Sequence, residues 1–277
     1  MGLRIATNIA SQNVQKNLKE VSNAGNGQLE KLSSGKRITK ASDDAAGLAI
    51  ATNLEAQTKG LRQASRNAND GVSLVQTAEG GLNETSNILI RLRELTIQAA
   101  SDTVGDQERG FLDKEYQQLS KEIDRISEST VFNGTQLLNG KGKGSMDFQV
   151  GAFAGEQNRI TFDSSESDSS ASSIGIASTN IANKDDALSS IGSIDKAIEK
   201  VSGQRANLGS IQSRLQSTIK NLEVQTINQD SARSVIQDVD VAEATAALSS
   251  NQVVKNAAVS TLAQANGIPN SALRLIG

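Results

Sequence analysis

Between Leu61 and Ala99 the chain carries a pattern that few folds can accommodate. Leu61, Ala64, Ala68, Gly71, Val75, Ala78, Leu82, Thr85, Leu89, Leu92, Thr96 and Ala99 are separated alternately by three and four residues without a slip. That spacing puts every member on one face of an α-helix and forms the seam of a coiled coil. A second seam runs Ile191, Ile194, Ile198, Val201, Arg205, Leu208, Gln212, Leu215, Ile219, Leu222, Thr226, Gln229. A shorter one, Leu112, Tyr116, Leu119, Ile123, Ile126, follows the Gly105-Asp106 break and predicts a third helix. Proline would interrupt helices of this length, and the single one, Pro269, lies well outside both long seams. A helix from near Asp44 to Ser101 would be roughly 85 Å long. The expected fold is therefore mainly α, a long antiparallel coiled-coil rod rather than a ball.

The middle of the chain differs in kind. Phe132, Phe148, Phe153 and Phe162 cluster there, with alternating DFQV and RITF segments and a GKGKG turn before them, so a small β-hairpin region is expected. Asn133-Gly134-Thr135 matches a glycosylation sequon but reads more simply as a tight turn. The segment DSSESDSSASS, Asp163 to Ser173, has almost no apolar content and is expected to be an exposed loop where the chain turns around. The two ends share a texture: Leu3, Ile9, Val14, Leu18, Val21, Leu29 and Leu32 at one, and Val254, Ala258, Leu262, Leu273 and Ile276 at the other, set among Asn, Gln, Ser and Ala. Helices so thinly apolar are marginal alone and gain stability by packing against partners.

Composition points the same way. A chain of 277 residues that is 36% hydrophobic and 2% aromatic, with alanine supplying much of its apolar content, has little material for a self-contained core. The net charge of −3 makes no basic field for nucleic acid, and there is no run of about 18 apolar residues to insert in a membrane. Absence of both His and Cys removes thiolate and imidazole chemistry, including Ser-His-Asp systems and thiolate or imidazole zinc sites. The start, MGLRIATNIAS, lacks the continuous apolar core of a secretory signal.

One loop concentrates groups that active sites use: LSSGKRITKASDDAAGLAI, Leu32 to Ile50. A phosphate loop needs Gly-x-x-x-x-Gly-Lys-Ser/Thr, yet Glu30 stands at the first glycine position and Arg37 at the final hydroxyl position. Capping explains more of the letters. Gly35 suits a helix C-cap, Lys31 and Lys36 complement the negative helix end, and Ser42, Asp43 and Asp44 suit the start of the next helix. No second acidic cluster is spaced to complete a cation site with Asp43 and Asp44. No catalytic residue, cofactor or metal is expected.

The motifs LEKLSSGKRITKASDDAAGLAI, RNANDGVSLVQTAEGGL, RLRELTIQAA, EIDRI and FNGTQLL, and later SRLQSTIKNLE, SVIQDVDVAEAT and STLAQANGIPNSALRLIG, stand in an order that resembles bacterial flagellin over essentially the whole chain. The resemblance implies a structural subunit that self-polymerises into the extracellular flagellar filament, the propeller for swimming, after export through the flagellar type III apparatus. It implies that residues 1–43 and 235–277 pair as a second coiled coil lining an inner tube. Residues 44–185, with a connecting tip at 163–185, and 186–234 would then form the next shell. Gly35, Arg37, Ser42, Asp43 and Asp44 would form the spoke between shells. Implied partners are an export chaperone, the cap and the hook-junction proteins. A face recognised by an animal Toll-like receptor maps onto Arg91, Leu95, Gln98 and Glu115, with Ile90 departing where the family commonly has Gln. The alternatives are a hook-filament junction protein, which has similar termini, and a coiled-coil signalling module.

Overall fold

The computed structural model describes residues 7–273, with side-chain detail through residue 267. Its elements in order are α1 (Ile9–Ser34), α2 (Ala45–Ala99), α3 (Asp106–Ser129), β1 (Val131–Phe132), β2 (Thr135–Gln136), β3 (Ser145–Gln149), β4 (Arg159–Asp163), α4 (Ala171–Ile174), α5 (Lys184–Gln237) and α6 (Val241–Leu273). The chain divides into two compact units, one formed by residues 1–56 with 228–277 and the other by residues 57–227. The expected mainly α fold with a small antiparallel β region is observed.

In the second unit the first seam lies where its period puts it. All twelve positions from Leu61 to Ala99 are buried. Leu82, Leu89 and Leu92 are wholly enclosed, each contributing about 1.5–3 kcal/mol of burial. Along α2, α5 runs antiparallel: Leu222 packs with Leu61 and Ala64, Leu215 reaches Gly71, and Arg93 pairs with Asp195 at 2.7 Å. On the other side α3 returns along α2, where Arg91 meets Glu115 at 2.9 Å.

The second seam needs correction. Ile194, Val201, Leu208, Leu215 and Leu222 are buried, but their companions are Ala197, Gln204 and Ile211. Ile198, Arg205, Gln212 and Ile219 lie half-buried on the flank. A fixed set of anchors seven residues apart admits two alternating seams, and composition favoured the one containing more isoleucines. Tertiary packing selects the other because α5 also receives the segment after β4.

That segment is likewise not the exposed loop that its serines suggest. Ser164, Ser167, Ser169, Ala171, Ile174, Ile176 and Ile181 are buried. Its backbone is held by side chains of two helices. Asp124 Oδ1 accepts from the Ala171 amide at 2.8 Å, Asp113 Oδ1 accepts from the Ile181 amide at 3.0 Å, and Gln204 Nε2 donates to the Glu166 and Asp168 carbonyls at 3.1 and 2.9 Å. The Tyr116 hydroxyl bonds to Thr179, and burial pushes its pKa up. Polar residues occupy a strap because the helices supply their hydrogen-bond partners, which removes the main cost of burying them.

Two short antiparallel pairs occupy the expected β region. Asn133 and Gly134, with φ of 46° and 75°, form the turn joining β1 to β2. In the other pair Phe148 faces Ile160 and Met146 faces Phe162, and Asn67 Nδ2 on α2 donates to the Gln149 carbonyl at 3.1 Å. Gly81 permits a close approach on the same helix, since a Cβ there would lie 2.6 Å from Leu138 Cδ1.

The end of α2 is closed by a residue of α3. Arg109 is buried, and its Nε donates to the Ala99 carbonyl at 2.9 Å, Nη2 to the Ser101 carbonyl at 3.0 Å and Nη1 to Asp106 at 2.8 Å. These bonds satisfy carbonyls that a helix end leaves without partners. Arg109→Ala is expected to cost about 2–3 kcal/mol in urea unfolding, with Lys recovering only part because it lacks the planar fork. An unchanged unfolding midpoint would remove this role.

Candidate assembly surface

The first unit is built on α1 and α6, which pack antiparallel. At one end Asn8 caps α1 by accepting from the Ser11 amide at 3.0 Å, and its Nδ2 donates to the Ala265 carbonyl at 2.8 Å. Ser11 Oγ meets Asn266 Oδ1 at 2.7 Å. At the other end the two connections are stitched together: the Arg37 amide donates to the Gln237 carbonyl at 2.7 Å, and the Val239 amide to the Gly35 carbonyl at 3.1 Å.

Of the expected spoke residues, Gly35 and Arg37 take part in this stitch, and Asp43 and Asp44 order the loop and helix start that follow. Gly35 ends α1 at φ 68°, the left-handed conformation glycine adopts without strain. The Arg37 guanidinium donates to the Ile236 carbonyl at 2.7 Å, so both its amide and its side chain serve the connection to α6 rather than a phosphate. Asp43 folds the loop back on itself, accepting from the amides of Lys40 and Thr39 and from the Thr39 hydroxyl, each at 3.0 Å. Those bonds, the Lys40 amide foremost, hold its carboxyl below the usual range. Asp44 caps α2 through the Gly47 amide at 2.8 Å, and Ser42 is exposed. Sequence reasoning missed Ile38, which is buried in the middle of this loop. Its signal was a lone branched aliphatic residue among polar neighbours. The pairing with residues 236–239 had no local signal.

The helix pair has little interior. Its buried positions are small or polar: Ser11, Ala244 and Ala265 among the described residues. Of the expected interface residues, Val14, Leu18, Val21, Leu32, Ala258 and Leu262 are half-buried, whereas Ile9, Leu29 and Val254 are exposed. Leu3 and Ile276, and the side chain of Leu273, lie outside the described residues. Val253 is 69% exposed, and Val241 and Val259 are also exposed, three positions that the sequence reading passed over. Covering residues such as these would contribute up to about 1 kcal/mol each, roughly half the value for full burial.

The expected receptor face requires a correction. Leu95 is 1% exposed and belongs to the core of the second unit. It faces inward because it stands three residues after Leu92 on the buried side of α2. Arg91 and Glu115 are exposed but bonded to one another, and Gln98 is exposed. Among the described residues no three acidic side chains group as a metal site, and no helix is long and apolar enough to cross a membrane.

Residues 5–143 match the bacterial flagellin N-terminal helical region, and residues 191–276 match the bacterial flagellin C-terminal helical region. A flagellin of Halalkalibacterium halodurans is 42% identical, the alignment covering 97% of this chain and 98% of that protein. A flagellin of Bacillus subtilis is 38% identical over 99% and 100% of the two chains. The crystal structure of Bacillus cereus flagellin superposes with a TM-score of 0.51 at 33% identity, covering 57% of this chain and 88% of that one. With two family regions matched in order and relatives aligned along nearly their whole length, the chain belongs to the bacterial flagellin family.

Proposed function

We infer that this chain is the structural subunit of a bacterial flagellar filament, and that its function is assembly rather than catalysis. The observation that carries this reading is the contrast between its two units. Residues 57–227 enclose a dense core of their own, whereas the α1–α6 pair buries small and polar residues and leaves Ile9, Leu29, Val253, Val254 and Val259 exposed. Apolar residues left outside on a helix pair are satisfied by further copies of the same pair. In this reading residues 1–43 and 235–277 form the inner tube of the filament and residues 44–234 its outer shell. Heterologous contacts between identical subunits then propagate along a helical array without closing.

The chain would reach the growing end through the flagellar type III apparatus, with an export chaperone covering the exposed face of α6 and the cap and hook-junction proteins bounding the filament. A junction protein would not elongate, and this separates it from a filament subunit. Purified chain seeded with filament fragments is expected to grow into long tubes under electron microscopy. Seeds that stay short across a range of salt concentrations would exclude the filament reading.

A further inference from the structure

Phe111 is one of only five phenylalanines in the chain, yet it is 59% exposed near the start of α3. One turn earlier on the same face stands exposed Glu108, and the Lys114 ammonium lies 5.6 Å from the Phe111 ring centre. This end of the second unit carries Asp102, Asp106, Glu108, Asp185 and Asp186 against Arg109, Lys114 and Lys184. Elsewhere on the same unit, α2 and α5 enclose an open groove of about 410 Å³ lined by Arg62, Ser65, Arg66, Glu223, Thr226 and Ile227. Ile227 is its one aliphatic lining residue, and Ile227 and Val224, about one turn earlier on α5, are both exposed. Arg66 donates to the neutral amide oxygen of Gln63 at 2.6 Å.

We propose that the Glu108–Phe111 knob of one copy seats in the Arg66–Ile227 groove of the next, the ring against Ile227 and Val224 and the carboxylate on Arg66. This rests on the filament reading above and assigns one of its contacts. The chemistry is complementary on both counts, a carboxylate and a ring set against an arginine and an exposed isoleucine. Aromatic and arginine side chains are those that most often dominate an interface. The two patches differ, so the contact is heterologous and repeats from copy to copy. Within one chain they cannot meet: Arg109 reaches the Ala99 carbonyl, which puts Phe111 beside the far end of α2, roughly 50 Å along the helix from the groove.

Because the chain has no cysteine, placed thiols report only the contact under test. Full-length Lys114→Cys chains, with the thiol beside the knob, are mixed with full-length Ser65→Cys chains under elongation conditions and treated with a short bis-maleimide. A linked mixed dimer is expected. Adding Arg66→Glu to the Ser65→Cys chain should lower its yield about 10-fold, and Glu108→Arg in the other chain should restore it. Circular dichroism of the single chains checks that these exposed substitutions leave the helices intact. Chains that elongate without the link overturn the contact while the filament reading stands. A link between chains that never elongate supports the contact and removes the filament reading. A yield indifferent to Arg66→Glu, or one not restored by Glu108→Arg, overturns the proposed pairing.

Discussion

Deletion of residues 3–32 is expected to stop elongation from filament seeds, a loss of at least roughly 100-fold in rate, or about 2.7 kcal/mol at the growing end. The remaining chain keeps the enclosed core of residues 57–227, whose buried residues run from Ala68 to Ile211 and Leu215 and draw nothing from α1. Helix α6 loses the partner that covers Ala244, Leu262 and Ala265, and a helix without a packed face is marginal in water. Circular dichroism should show the lost signal of the terminal helices together with a retained cooperative transition of the second unit. Global unfolding would mean that the second unit depends on the first. Normal growth would mean that the helix pair is not the assembly element.

A core substitution should do the reverse. Leu89 is wholly buried on α2, and Leu89→Ala is expected to destabilise the monomer by about 2–5 kcal/mol through lost burial and the cavity left behind. Urea denaturation followed by circular dichroism measures this. Below the lowered melting temperature, seeded growth should stay within about threefold of the parent, because distant sites contribute nearly independently. A shift under about 0.5 kcal/mol would place Leu89 in a region that relaxes freely, contrary to its enclosure. Together the two variants separate folding of the second unit from assembly through the first.

How much of this was legible depended on how local each cause is. The seam of α2 could be read because one helix face obeys one period, and every predicted position is buried. The left-handed Gly35 and the turn at Asn133-Gly134 could be read because each depends on a few adjacent residues, whereas the acids expected inside the first turn of α2 lie before it, with Asp44 itself as the cap. The seam of α5 could not be settled, since two seams share the same anchors and the choice belongs to the strap packed beside Gln204. Serines 164, 167 and 169 looked solvent-bound because composition records polarity, not whether a neighbouring helix will meet it with a partner. Leu95 lies outside the three-and-four seam and so reads as a surface residue, although the broad buried stripe on α2 includes it.

By itself the sequence determined the long helices, the stop at Gly35, the position of the hairpins and the family, because periodicity, local turn chemistry and ordered motifs are properties of neighbours along the chain. Only the tertiary structure decided which of two seams α5 uses, that the serine-rich segment is a buried strap, that residues 35–37 are stitched to 236–239, and which apolar residues of the terminal helices remain uncovered. Those outcomes arise from atoms far apart in sequence competing for the same hydrogen bonds and the same apolar surface. The spacing of residues along one segment carries no record of that competition.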